Sequence, residues 1–161
     1  MNILIVIVIV FLCFSVFAIW AGKKDKFSIS FMETFNLTEM PIITMFAGNT
    51  KVNFLLDTGA TQSFIAQSVS NLVTGKESTY SMEVISAQGT EESNCKIIDT
   101  VLTYKDRDFD VKLIVNSSLD TSFKDLKVKK GIILHGILGS DFLDRYSYII
   151  DFEKYLAYPK K

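Results

Sequence analysis

The stretch Leu55-Leu56-Asp57-Thr58-Gly59-Ala60-Thr61 carries the side chain best placed to do chemistry. Apolar residues of a strand deliver a carboxylate into a tight turn of Thr, Gly and a small residue, which sets an acid at a strand end, where it can take up or release a proton. The plainer alternative is that Asp57 only starts a turn. A second element far downstream, Ile137-Leu138-Gly139-Ser140-Asp141-Phe142-Leu143, runs from two apolar residues and a glycine into a brief helical pattern.

Other chemistries are thinly supplied. His135 is the single histidine, which excludes a multi-histidine zinc site. A serine triad or a Cys95–His135 pair would have to use that one residue, and neither flank carries a nucleophile motif. His135 therefore reads as a loop or strand-edge residue. Asp106, Asp108 and Asp110 resemble the start of a calcium loop, but Val111 stands at the required glycine and Ser117 at the required glutamate. They read as solvent-facing turn charges, and Glu91-Glu92 and Lys127 to Lys130 as solvated faces. No metal and no cofactor is expected.

The elements that must position Asp57 are mostly strands. Phe27, Ile29 and Phe31 alternate with Ser28 and Ser30 in the two-residue period of a strand. Pro41 opens an apolar run through Phe46, Ala47-Gly48-Asn49-Thr50 supplies a turn, and Val52 to Leu56 returns as the second arm of a hairpin that ends at Asp57. Ser63 to Val73 has apolar spacing that predicts a short helix stopped by Gly75. A long projecting hairpin is predicted from Tyr80, Met82 and Val84 through the turn Ala87-Gln88-Gly89-Thr90 to Ile97, Ile98, Val101 and Leu102. After a polar turn at Asp106 to Asp108, Phe109, Val111, Leu113 and Val115 share one face. Asn116 to Lys130 has no firm period and reads as surface loop. Ile132 to Leu138 reads as a buried strand, Ser140 to Arg145 as a brief helix capped by Ser140, and Tyr148 to Phe152 with Tyr155 to Tyr158 as a closing hairpin.

From about Pro41 to Tyr158 the chain resembles the retropepsin-like aspartic proteases, the single-domain relatives of retroviral proteases. The resemblance rests on Asp57, Thr58, Gly59 and Ala60, which match the family's active-site turn, and on Ile137, Leu138 and Gly139, which match its later signature of two apolar residues and a glycine before a short helix. It implies an all-β fold, a closed barrel with one short C-terminal helix. It also implies that Asp57 is catalytic, that the Thr58 hydroxyl ties two active-site turns together, and that Gly59 lets its backbone approach a carboxylate. The hairpin Met82 to Cys95 falls where the family carries a flap, with Ala87, Gln88, Gly89 and Thr90 as its tip over the substrate. Asn116 to Lys130 has no retroviral counterpart and reads as a variable insertion.

Peptide hydrolysis with neither metal nor covalent nucleophile needs one ionised carboxylate to deprotonate water and one protonated acid to polarise the scissile carbonyl. The chain holds a single Asp-Thr-Gly, since Val101 follows Asp99-Thr100 and Ser122 follows Asp120-Thr121. One chain is half a site. A two-fold homodimer that brings two copies of Asp57 together on its axis is the expected form, with a peptide or protein as substrate. Ala60 cannot donate the hydrogen bond that a serine there could give to the ionised pair, so a mildly acidic to neutral optimum is expected. Two other readings stay open at this point: a catalytically silent retropepsin-like module that dimerises or binds peptides, and a structural β-domain in which Asp57 is an ordinary turn residue.

Composition bounds the rest. A chain of 161 residues is about one domain long. With 17 Lys+Arg against 18 Asp+Glu the formal charge is -1, which leaves no basic field for nucleic acid. Apolar residues concentrate from Ile3 to Trp20, where Ser15 is the sole polar residue, and no charge precedes Lys23. That length and apolarity predict a membrane-spanning helix at residues 3–20, hence a single-pass membrane protein, with a signal peptide cut near Val16-Phe17-Ala18 as the competitor. Lys23, Lys24 and Lys26 place the remaining chain on the cytoplasmic side by the positive-inside bias. The expected division is an anchor at 1–22, a linker and first strand at 23–35, and the protease-like domain at 36–161. Cys13 falls within the apolar span and Cys95 far from it, so no internal disulfide is expected.

Overall fold

The computed structural model describes the backbone of residues 27–86 and 89–160, and side chains outside 80–94. The apolar span at residues 3–20 lies outside the described residues; among those described, no helix is long and apolar enough to cross a membrane.

Strands dominate. β1 (Ile29–Ser30) is followed by helix α1 (Met32–Thr38), then β2 (Ile42–Ala47) and β3 (Thr50–Leu56), which form the expected hairpin across the Gly48-Asn49 turn. Gly48 takes a φ of 58°, the left-handed backbone that suits glycine there. β4 (Phe64–Ala66), a 3-10 turn (Gln67–Leu72), β5 (Lys76–Ser86), β6 (Gly89–Tyr104) and β7 (Arg107–Asn116) come next. Helix α2 (Ser118–Lys130), β8 (Gly136–Leu138), helix α3 (Ser140–Arg145), β9 (Tyr148–Asp151) and β10 (Leu156–Pro159) complete the described chain.

Seven strands form one sheet in the order β2-β3-β8-β4-β7-β6-β5, and the pairing of Phe46 in β2 with Thr103 in β6 closes it into a barrel. β8 lies between β3 and β4, parallel to the first and antiparallel to the second. A separate sheet, β1-β10-β9, carries both ends of the described chain. The barrel interior is filled by Met45, Val52, Phe54, Ile65, Ile98, Leu102, Phe109, Leu113 and Leu138, all buried. Ile29 and Phe31 are buried in the same core, so the first strand is packed into the same unit as the barrel.

Three sequence expectations give way to the structure. The all-β reading with one short C-terminal helix holds for the barrel, but among the described residues α1 and α2 are added to α3. Asn116 to Lys130, read as loop, contains the thirteen-residue helix α2, whose Leu119, Phe123 and Leu126 pack over Ile42, Ala66, Ile132 and Leu134. Gly131, with a φ of 69°, ends it by donating its N–H to the Lys127 carbonyl. The apolar stripe is narrow and diluted by lysines, which hid its helical period. At Ser63 to Val73 the predicted helix is replaced by β4 and the 3-10 turn. Both sides of β4 are occupied by ladder partners, β7 and β8, and two ladders outweigh a weak local helical preference.

Candidate active site

Asp57 stands just beyond the end of β3, where the parallel pairing of β3 with β8 runs out at Leu56 opposite Leu138. Its backbone N–H still donates to the Leu138 carbonyl at 3.0 Å, so the position of the acid along the sheet is set by the ladder. The turn then folds over the carboxylate: Gly59 N–H donates to Asp57 Oδ1 at 2.8 Å, and Ala60 N–H to the Asp57 carbonyl at 3.3 Å. A Cβ on Gly59 would stand 3.2 Å from Asp57 Oδ1, tight enough to displace that oxygen. Asp57 is half-buried, and Thr58 and Gly59 are exposed. The acid is thus fixed from behind and open in front.

The downstream element meets this turn. Ile137 and Leu138 lie opposite Leu55 and Leu56, and Ser140 N–H donates to the Ala60 carbonyl at 2.8 Å. Gly139 is required by contact, since a Cβ there would come within 2.5 Å of the Gln62 carbonyl oxygen and 2.7 Å of that of Ala60. Helix α3 starts with no side-chain cap from Gly139, and Ser140, expected as the cap, is its first residue. Asp141 takes the capping part by accepting the Phe142 N–H at 2.8 Å.

Two residues of this assembly have no role in the sequence reading. Ser63 is fully buried, with its Oγ donating to Asp141 Oδ1 at 2.7 Å and accepting the Gly139 N–H at 3.1 Å. Its own N–H donates to Asp141 Oδ2 at 3.1 Å. The trace in the sequence is slight: Ser63 opens the apolar run Phe64-Ile65-Ala66, and Asp141 precedes Phe142-Leu143.

Of the predicted tip of the hairpin, Ala87 and Gln88 lie outside the described residues, while Gly89 and Thr90 stand opposite Ser86 and Ile85 at the far end of the β5–β6 pairing. His135 does sit at a strand edge. Its Nδ1 accepts the Asn53 N–H and its own N–H donates to the Asn53 carbonyl, both at 2.9 Å, which extends the β3–β8 pairing upstream. The ring proton is therefore on Nε2, and burial holds the imidazole below its ordinary 6.5. Asp108 and Asp110 alternate along β7 instead of curling round a cation, and Asp108 accepts the Thr103 hydroxyl at 2.6 Å. Cys95 is buried on β6.

A family described as aspartyl protease matches residues 43–142. Among solved structures the chain is similar to EIAV protease complexed with the inhibitor HBY-793, at 22% identity and a TM-score of 0.48, over 68% of this chain and 90% of that one. A search of curated proteins found no match.

Proposed function

The chain belongs to the retropepsin-like aspartyl protease family, and on that premise we propose that it is an aspartic endopeptidase that works as a homodimer, tethered to a membrane through residues 3–20. The observation that carries this reading is the half-site itself. One carboxylate is locked at the end of β3 by the Gly59 N–H, in a turn whose Thr58 and Gly59 are exposed.

In the dimer a second Asp57 faces the first, and water bridges them. The ionised carboxylate takes a proton from the water as its oxygen attacks the scissile carbonyl carbon, and the protonated partner donates its proton to the carbonyl oxygen. The tetrahedral diol then collapses: one carboxyl gives its proton to the amine as the C–N bond breaks, while the other carboxylate takes a proton from a diol hydroxyl, which releases the carboxylic acid product and restores the shared proton. The Gly59 N–H on Oδ1 stabilises the ionised member at each stage. Thr58, exposed beside it, is placed to reach the partner turn. The cleft beneath the two β5–β6 hairpins takes an extended peptide by backbone pairing. A membrane tether confines both copies to a plane and raises their effective concentration, and the lysines after the span put the domain on the cytoplasmic side.

The test is cleavage of a diverse peptide library by the full chain, with Asp57→Asn as control and sedimentation to give the oligomeric state. Cleavage that persists in Asp57→Asn, or that belongs to a strict monomer, overturns the mechanism. A dimer that cleaves nothing supports the silent module instead. Activity that peaks near pH 3, below the ordinary aspartate value, contradicts the mildly acidic to neutral optimum that Ala60 implies.

A further inference from the structure

The loop that bears Asp57 spans a gap between two ladders. β3 pairs with β8 as far as Leu56 opposite Leu138, and β4 resumes the pairing at Phe64 opposite Ile137. Residues 57–63 therefore cross over Gly139 and Ser140 bonded to strands at their ends, by the Asp57 N–H on the Leu138 carbonyl and by the Ile114 N–H on the Ser63 carbonyl. Between those ends the Ser140 N–H holds the Ala60 carbonyl, and the side-chain hydrogen bonds that join the crossing to the start of α3 centre on Ser63 and Asp141. Ser63 is 0% exposed, so its hydroxyl must be satisfied within the protein. It is satisfied twice, by Asp141 Oδ1 and by the Gly139 N–H.

We propose that Ser63 and Asp141 form a brace that positions Asp57, on the reading that Asp57 is the catalytic acid. Three donors meet the two oxygens of Asp141: the Ser63 hydroxyl and the Phe142 N–H at Oδ1, and the Ser63 N–H at Oδ2. Only a carboxylate accepts all three, because the amide of asparagine turns a donor toward one of them. The brace acts on the active turn through backbone contact. Gly139 lies so close to the Ala60 and Gln62 carbonyls that a shift in one loop carries the other with it. Arg145, which lines a recess of about 160 Å³ beside Asp141, is paired with Asp110 at 3.8 Å, so the carboxylate is held by hydrogen bonds from its neighbours. Losing the brace leaves both aspartates present but wrongly spaced in the dimer.

The experiment is a cycle of Ser63→Ala, Asp141→Asn and the double variant in the full chain. In the parent, two carboxylates that share a proton give a bell-shaped pH–rate profile, and its width grows with their coupling. Each single variant is expected to lower kcat about 10- to 100-fold with KM within about threefold, and to narrow the bell. The double variant is expected to lose no more than the worse single, since the two residues act as one unit. A lower rate at unchanged width, or losses that multiply, overturns the proposal, because mere loss of folded protein does that. Amide hydrogen exchange gives a second readout independent of turnover. In Ser63→Ala the Gly139 and Gly59 amides are expected to exchange at least about tenfold faster while Leu113 in β7 keeps its protection. Unchanged exchange at Gly139 and Gly59 overturns the brace. If the parent cleaves nothing, the protease reading fails by itself and exchange alone decides the brace.

Discussion

The Asp57 turn and the terminal sheet are held by opposite means. Around Asp57 the fixing groups are backbone amides, one hydroxyl and one carboxylate, and glycines let the chains touch. Around β1, β10 and β9 the fixing groups are rings. Phe109 packs on Phe142, Tyr146 and Tyr148, with the Tyr146 ring edge-on at 4.9 Å, and Phe31 meets Phe152 and Tyr155 edge-on. The Arg107 guanidinium stands 4.8 to 5.7 Å from the rings of Phe27, Phe109, Tyr146 and Tyr148 and donates to the Tyr148 hydroxyl, which in turn donates to the Phe27 carbonyl at 2.6 Å. Apolar burial is strong but non-directional, whereas hydrogen bonds are weak in net terms but fix position. The turn therefore supplies precision and the terminal sheet supplies stability, with α3 joining them through Phe142.

The largest effect that would break this division comes from Asp57→Asn. The amide still accepts the Gly59 N–H, so unfolding should stay within about 0.5 kcal/mol of the parent while cleavage falls by about 10³-fold or more. A large loss of stability would mean the turn carries the fold as well. Phe109→Ala should do the reverse. Deleting a fully buried ring that touches three others is expected to cost about 3–5 kcal/mol in denaturant unfolding, with kcat per folded molecule unchanged.

Gly59→Ala sharpens the contrast at one atom. Its Cβ meets only Asp57 Oδ1, so a loss of about 10- to 100-fold in kcat is expected with a melting temperature close to the parent's. Arg107→Met keeps the stem and removes the cation, which should cost about 1–2 kcal/mol and leave the pH–rate profile in place.

The smallest effect is a pH dependence of stability. The folded imidazole of His135 lies below its ordinary 6.5, so as pH falls through 6.5 the unfolded chain takes the proton first. The stabilisation is complete above that value and declines as pH drops toward the lowered folded value. His135→Asn, whose Oδ1 can accept the Asn53 N–H without titrating, should flatten that part of the unfolding free energy as pH falls below 6.5. An unaltered slope would show that His135 is not its source.

Much of the fold was legible because strands announce themselves locally. The two-residue alternation from Phe109 to Val115 and the turn residues Gly48-Asn49 marked β7 and the first hairpin where they are found. Leu119, Phe123 and Leu126 did not announce α2, because their stripe has meaning only against Ile42 and Leu134, which are distant in sequence. The same holds for β4, where helical spacing at Phe64, Ile65, Val69 and Leu72 yields to partners on both sides.

By itself the sequence determined which acid stands in a glycine turn at the end of a strand. That depends on neighbours along the chain, whose types dictate local backbone geometry. Only the tertiary structure decided that β8 slides between β3 and β4, that Gly139 presses on the Ala60 carbonyl, and that Ser63 finds Asp141. Such pairings join residues far apart in the chain, and a hydrogen bond between them leaves no period or composition to read until the barrel has closed.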